Sequence, residues 1–491
     1  MQLQENYFRL HRLSVVRYLI DHVIPFWSYL VYHTDTMDKR ILLIILIIAS
    51  ISVHFAFFGH PNETVFDEVH FGKFISAYYT HQYSFDIHPP LGKLMIAGFG
   101  KLFNFQPEFS FAAIGDTFPD HGYLALRFLP TLAGTLLPII IFFLALELGL
   151  KPLSSFVAGM LVALDTALLT QSRYILLDMF LLFAGFASLL FYFRYRNRGQ
   201  IINLLWFGLL AGIAASIKWT GLTFLALAGI IEIVSIIKAR AFGARRLASL
   251  VVYFAIIPFV LYLSVFVIHF SLLKNSGEGD AFMTPAFRAT LAGTVEYNDP
   301  NIKPLNTWQK FIELNKEMYT ANKTLTASHP YSSRWYTWPF MTRSIYYWNH
   351  TLPGTANDQE EKIYLIGNPL VWWGSTVALI YLIISWLGSL KSRIKNTNLD
   401  LPTIFILAYF LNLLPFIGIG RIMFLYHYFP ALIFAILMLA YLVDQLEKPK
   451  KTVIALIAIA AVLFVYFAPL SYGLAESQKS FNHHLWLSSW L

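Results

Sequence analysis

The chain has 491 residues, of which 57% are hydrophobic and 17% aromatic but only 13% charged, about half the charged share of an ordinary soluble domain, which excludes a water-soluble fold. The net charge of +8 would suggest nucleic acid in a soluble protein, but the basic residues sit mostly in short loops between apolar runs, where membrane topology rather than nucleic acid explains them. Cysteine is absent, so disulfides, thiolate catalysis and cysteine-ligated metal are excluded together.

Residues 1–40 place Arg9, Arg12 and Arg17 among Phe8, Leu10, Val15, Val16, Leu19 and Ile20, a mixture that predicts a surface-lying amphipathic segment. The first apolar run waits until Ile41, after Lys39-Arg40, and reads as a start-transfer span rather than a cleavable signal peptide. Apolar runs then predict transmembrane helices over 41–58, 123–146, 153–170, 175–193, 202–217, 221–237, 248–269, 370–390, 401–419, 424–444 and 452–470, each long enough for a hydrocarbon core about 30 Å thick. The expected architecture is an all-α polytopic membrane protein of about eleven spans. With the N-terminus in the cytoplasm, the basic loops around Arg194-Arg198, Lys238-Arg246, Lys391-Lys395 and Lys448-Lys451 all fall inside. The C-terminus falls outside, as do two long loops, 59–122 and 270–369. The chain divides into the N-terminal segment 1–40, a transmembrane module 41–269 that includes the first outer loop, the second outer loop 270–369, and C-terminal helices over 370–491.

In the first outer loop, T-V-F-D-E-V-H-F-G-K-F-I-S-A-Y-Y from Thr64 places Phe71, Phe74, Ile75 and Tyr78 at helical spacing. D-I-H-P-P-L-G-K from Asp86 opens a second helix with Leu91, Leu94, Met95, Phe99 and Leu102 on one face. Both are expected to lie along the membrane surface. Asp67 and Glu68 at the start of the first point about 100° apart on a helix, so one works and the other supports it. A partly desolvated carboxylate suits general-base work on a hydroxyl; the plain alternative is an acidic helix start that favours the dipole.

Arg127, Arg173, Lys218 and Arg421 lie at the outer ends of spans, where the topology rule does not place cations. With Lys93 they form an outer set suited to a lipid phosphate and to the charge growing on a phosphate leaving group. The structural alternative pairs Arg173 with Asp165 or Asp178 and lets the others snorkel to the interface.

At this point the motifs F-D-E-V-H-F-G-K-F, D-I-H-P-P-L-G-K, Y-L-A-L-R, R-Y-I-L-L-D, S-I-K-W-T-G, H-P-Y-S-S-R-W-Y-T-W-P, G-N-P-L-V-W-W and R-I-M-F-L-Y-H-Y-F-P, in this order after residue 40, make the chain resemble the protein O-mannosyltransferases. These are polytopic enzymes of the GT-C class that use polyprenyl-phosphate (dolichyl-type) mannose. The resemblance implies Asp67 as catalytic base with Glu68 beside it, and a functional role for Arg127. It implies transfer of mannose to Ser or Thr of secreted or membrane proteins on the outer face of the cell membrane, by an inverting single displacement. Arg127, Lys93, Lys218 and Arg421 would hold the donor phosphate. His329, Arg334, Trp335 and Trp338, with His88 and His427, would line the sugar or acceptor site, although each Trp suits interfacial anchoring equally. No cofactor or metal is required, with room left for a divalent ion on Asp67-Glu68, and the secretion translocon is a further expected partner. The second outer loop is too short for the lectin-like MIR domain of eukaryotic members, which marks a prokaryotic-type chain. A related GT-C enzyme moving another sugar, or using a lipid or glycan acceptor, is the competing reading. A transporter would place its ionisable residues near mid-membrane, and here they gather at the outer ends.

Overall fold

The computed structural model describes residues 38–239, 243–324, 328–351, 359–389 and 399–491. Most of the amphipathic segment 1–40, and the loop cations Arg240, Lys391, Arg393 and Lys395, lie outside the described residues. The first helix, α1 (Lys39–Phe55), starts where the Asp38 side chain accepts the Arg40 N–H at 3.0 Å, satisfying one of the orphan donors of a helix start. Loop 59–122, the expected first outer loop, carries α2 (Glu68–Thr80) and α3 (Leu91–Leu102). The membrane module continues with α4 (Tyr123–Glu147), α5 (Pro152–Ala163), α6 (Thr166–Ser172), α7 (Asp178–Arg198), α8 (Ile201–Ile217) and α9 (Leu222–Ala239). Then comes α10, Ala244–Leu250 running through a π segment, Val251–Ile256, into Ile257–Leu272.

Loop 270–369, the expected second outer loop, holds α11 (Thr307–Thr324) and the strands β1 (Ile345–Thr351) and β2 (Gln359–Leu365). It is followed by α12 (Pro369–Gly388), α13 (Leu401–Leu413), α14 (Phe429–Asp444), α15 (Pro449–Tyr472), β3 (Glu476–Ser477) and α16 (Gln478–His484).

Among the described residues, eight helices are long and apolar enough to cross a membrane, or nine counting the bent pair α5–α6. The remaining two predicted spans fall on α1 and α8, 17 residues each, about 26 Å of helix. The predicted continuous span 153–170 is instead broken: α5 and α6 meet at 58°. Asp165 causes the break, because its carboxylate caps α6 by accepting the Leu168 N–H at 2.9 Å, a local bond that competes with helix continuation. The same carboxylate takes the Asn368 N–H at 3.0 Å and the Trp372 indole N–H at 2.8 Å, pinning the break to the start of α12.

The fold is mostly helical, but a small antiparallel sheet in the order β1-β2-β3 departs from the all-α expectation. I-Y-Y-W-N-H-T in β1 is rich in aromatic and β-branched residues that favour a pleated, half-buried surface. The register slips between Tyr346, opposite Tyr364, and Trp348, opposite Ile363, which leaves Tyr347 as an extra residue on β1.

The two helices of the first outer loop pack differently. Phe71, Ile75 and Tyr78 of α2 are buried, with Gly72 against the Phe111 ring: a Cβ at Gly72 would stand 2.2 Å from it. In α3 the protein-facing side is Gly92, Lys93, Ile96, Ala97 and Gly100. Its apolar stripe of Leu91, Leu94, Met95, Phe99 and Leu102 is left partly or fully open, Leu102 by 77%, as suits a lipid interface. Asn322 on α11 donates to the Ile87 carbonyl at 3.0 Å, tying the second outer loop to the D-I-H-P-P turn of the first.

Candidate active site

The site is built at the start of α2. Phe66 has φ +48°, a region unfavourable for a residue with a Cβ, and its turn carries Asp67 to the N-cap position. Asp67 makes no side-chain capping bond, and among the described residues no hydrogen bond reaches its carboxylate. Burial pushes its pKa up to about 7; Lys218 and Arg421 pull it down, Asp178 and Asp86 push it further up, and burial prevails.

Glu68 has the opposite surroundings. It is fully buried and accepts the Arg127 Nε–H at 2.8 Å, the Arg127 Nη2–H at 2.7 Å, the Val65 N–H at 2.8 Å and the Ile175 N–H at 2.9 Å. Both of its oxygens are therefore committed, and it cannot share a divalent ion with Asp67 without breaking this set.

Arg127 is the clearest correction to the donor-phosphate expectation. Its remaining N–H groups go to the carbonyls of Gly59 at 3.0 Å, Pro61 at 2.7 Å and Glu63 at 2.7 Å. All five donors of the guanidinium are used, its exposure is 0%, and Tyr123 and Tyr174 lie against it at 4.9 and 5.1 Å. It braces the first outer loop and has nothing left for a phosphate. Lys93 is likewise committed, to the Asp86 carboxylate and to the His88 carbonyl at 3.0 Å.

Arg173 pairs with neither Asp165 nor Asp178. It donates to the carbonyls of Ala56 and Phe57, each at 2.6 Å, and lies over Tyr472 at 4.7 Å, closing the end of α1. Asp178 instead accepts Lys218 Nζ at 2.7 Å.

Two of the expected cations do face open space. A cavity of about 260 Å³ is lined by His88, Asp178, Lys218, Asn322, Lys323, Arg421, Tyr426 and His427, among others. Lys218 sits at the extended break after α8, φ −146° and ψ 144°, which turns its ammonium toward the cavity and over Tyr426 at 5.3 Å. Arg421 has no ion pair among the described residues, and its buried Nε has no hydrogen-bond partner. Burial pulls its pKa below the usual value. An unpaired, desolvated guanidinium beside a lysine has the chemistry to meet an anion. Burial, then the positive charge of Lys218 and Arg421, holds His88 well below its usual pKa, which favours the neutral ring.

The second-loop residues separate. Trp338 is buried, donates to Ser333 Oγ at 2.9 Å and stacks on His427 at 5.9 Å; it supports the cavity wall instead of presenting a face to sugar. His329 accepts the Tyr331 N–H at 3.2 Å and meets Phe424 edge-on at 5.0 Å. Arg334 is exposed, and Trp335 is half-buried, packed against the core and edge-on to Tyr336 at 5.7 Å. Asn322 and Lys323 escape a reading of the sequence, because a polar helix carries no spacing signature, and Tyr426, although inside the R-I-M-F-L-Y-H-Y-F-P stretch, gives no sign there that it lines a cavity.

A polytopic helical bundle with a free carboxylate near a cavity lined by two cations has the fold of a GT-C membrane glycosyltransferase. Residues 44–274 match the family model described as dolichyl-phosphate-mannose-protein mannosyltransferase, and residues 307–490 match the C-terminal four TMM region of protein-O-mannosyltransferase. The chain belongs to the protein O-mannosyltransferase family. It is 23% identical over 660 residues to dolichyl-phosphate-mannose–protein mannosyltransferase 1 of Candida albicans, covering 86% of this chain and 74% of that protein. It is 38% identical over 254 residues to mannosyltransferase 4 of Saccharomyces cerevisiae, covering 47% of this chain and 33% of that one. The solved structure of the S. cerevisiae protein O-mannosyltransferase Pmt1-Pmt2 complex bound to the sugar donor superposes with TM-score 0.83 at 22% identity, over 95% of this chain and 94% of that one. ArnT from Cupriavidus metallidurans bound to undecaprenyl phosphate superposes with TM-score 0.52 at 11% identity, over 88% and 76%.

Proposed function

We propose that this chain transfers mannose from a polyprenyl-phosphate mannose to Ser or Thr hydroxyls of proteins on the outer face of the cell membrane, with inversion at the anomeric carbon. The observation that carries the reading is the free Asp67 carboxylate, with a pKa of about 7, in the field of Lys218 and Arg421. Asp67 takes the hydroxyl proton as the acceptor oxygen bonds to the anomeric carbon. The bond from that carbon to the phosphate oxygen breaks, its electron pair leaving with the lipid phosphate, where Arg421 and Lys218 stabilise the charge. Glu68 and Arg127 act as positioning residues that fix the start of α2. His88 and His427 hydrogen-bond the sugar, and Arg334 and Trp335 meet the acceptor, a chain emerging from the secretion translocon. Among the described residues no group of three or more His, Asp or Glu is arranged for a metal ion.

The test supplies membranes containing the chain with polyprenyl-phosphate mannose and a Ser/Thr peptide, then with the glucosyl and galactosyl donors and a lipid acceptor. Mannosylated peptide as the favoured product supports the reading; a preference for another sugar or for the lipid acceptor overturns it.

A further inference from the structure

The extra residue on β1 reaches into the centre of the site. Tyr347 is fully buried, and its ring lies flat on Phe66 at 4.1 Å and 9°. Its carbonyl accepts the Phe66 N–H at 3.1 Å. These two contacts hold the left-handed residue that precedes Asp67. A bulge re-aims a side chain out of the strand's alternation, and here it lets the Tyr347 hydroxyl turn to the Gln171 side-chain oxygen at the end of α6. Gln171 is buried as well, and its amide N–H donates to Asp178 Oδ2 at 2.7 Å. The other oxygen of Asp178 takes Lys218 Nζ at 2.7 Å, and Lys218 lines the anion cavity.

The chain from Phe66 through Tyr347, Gln171 and Asp178 to Lys218 has one direction. An ionised Asp178 only accepts, so Gln171 presents its NH2 to Asp178 and its oxygen to Tyr347, whose hydroxyl donates. An anion in the cavity competes with Asp178 for Lys218, and the other side-chain partner of the Asp178 carboxylate is the Gln171 amide, which the Tyr347 hydroxyl holds in orientation.

We propose that Tyr347 and Gln171 are positioning residues that couple occupancy of the phosphate cavity to the placement of Asp67. The coupling rests on the functional reading above for the identity of the base, and on geometry alone for its phosphate end. The experiment compares the wild type with Tyr347→Phe, which keeps the ring stack and the main-chain bond and removes one hydroxyl, and with Gln171→Leu. Binding of polyprenyl phosphate without sugar is titrated on purified protein in detergent, and kcat and both KM values are measured per folded molecule. Loss of one bond in a buried charged network predicts about threefold to tenfold weaker lipid-phosphate binding and about tenfold lower kcat in each variant. The acceptor KM is unchanged, and the acid limb of the kcat profile moves. Lipid-phosphate binding equal to wild type in both variants overturns the coupling, as does a loss of folded protein with unchanged constants per folded molecule. If Asp67→Asn proves active, the base assignment fails while the phosphate-binding arm still decides the chain from Tyr347 to Lys218.

Discussion

Glu68 and Arg127 form a two-point ion pair with both side chains at 0% exposure, Nε to Oε1 at 2.8 Å and Nη2 to Oε2 at 2.7 Å. Removing one partner of such a pair leaves a buried charge uncompensated, at a cost of about 3–5 kcal/mol. Arg127→Ala is therefore expected to reduce folded yield and lower the unfolding temperature in detergent. Arg127→Lys fails to rescue, because one ammonium cannot replace a five-donor fork. An Arg127→Ala protein that folds normally and loses only donor affinity would return this arginine to the phosphate site.

The raised pKa of Asp67 gives two pH dependences. A base must be ionised, so kcat/KM rises with pH and levels above about 7. Stability runs the other way. The folded carboxyl keeps its proton up to about 7 against the usual 3.8, so across that window the folded chain binds more protons than the unfolded one. Stability thus falls as pH rises from about 4 to about 7 and is then level. Asp67→Asn removes this slope, and its unfolding temperature relative to wild type climbs through the same window. A difference that is flat with pH would contradict the raised pKa.

Arg421 and Lys218 are expected to differ when removed. Among the described residues Arg421 forms no ion pair whose other half would be stranded, so Arg421→Ala leaves folding intact and raises the donor KM by about tenfold to a hundredfold, the loss of one or two charge-assisted hydrogen bonds. Lys218→Met strands Asp178, which is only 7% exposed, and lowers the yield of folded protein. Adding Asp178→Asn restores the fold without restoring donor affinity. Donor titrations on the purified variants, with a melting curve for each, separate the two effects.

Gly72 admits α2 against Phe111. A Cβ there would stand 2.2 Å from a ring that is itself fully buried, so Gly72→Ala is expected to destabilise by about 1–3 kcal/mol, as overpacking does. Its effect on kcat follows from the shifted start of α2, and Phe111→Leu in the same chain should recover part of both.

The membrane helices were legible in the sequence because uninterrupted apolar length is a strong physical signal, and α2 and α3 because Phe71, Ile75, Leu94 and Phe99 repeat at helical spacing. The break at Asp165 was not, since an acid inside an apolar run reads as an isolated oddity until its partners Leu168, Asn368 and Trp372 come from elsewhere in the chain. Two of the misplaced cations, Lys218 and Arg421, do come together, on one cavity. Charge position alone, however, did not separate Arg127, whose donors are exhausted by carbonyls of its own loop, from Arg421, whose Nε is left over. The same limit applies to Tyr347: its place depends on a one-residue slip against β2, which local sequence does not encode.

In the proposed reaction Asp67 is the base and Glu68 its support. Single-turnover transfer from polyprenyl-phosphate mannose to a Ser/Thr peptide, by purified Asp67→Asn at pH 8 with donor binding measured in parallel, tests it most directly. Donor binding stays close to wild type and the chemical step slows by about 10²–10⁴-fold if Asp67 takes the proton. Transfer at near wild-type rate, with the donor bound equally well, would contradict it.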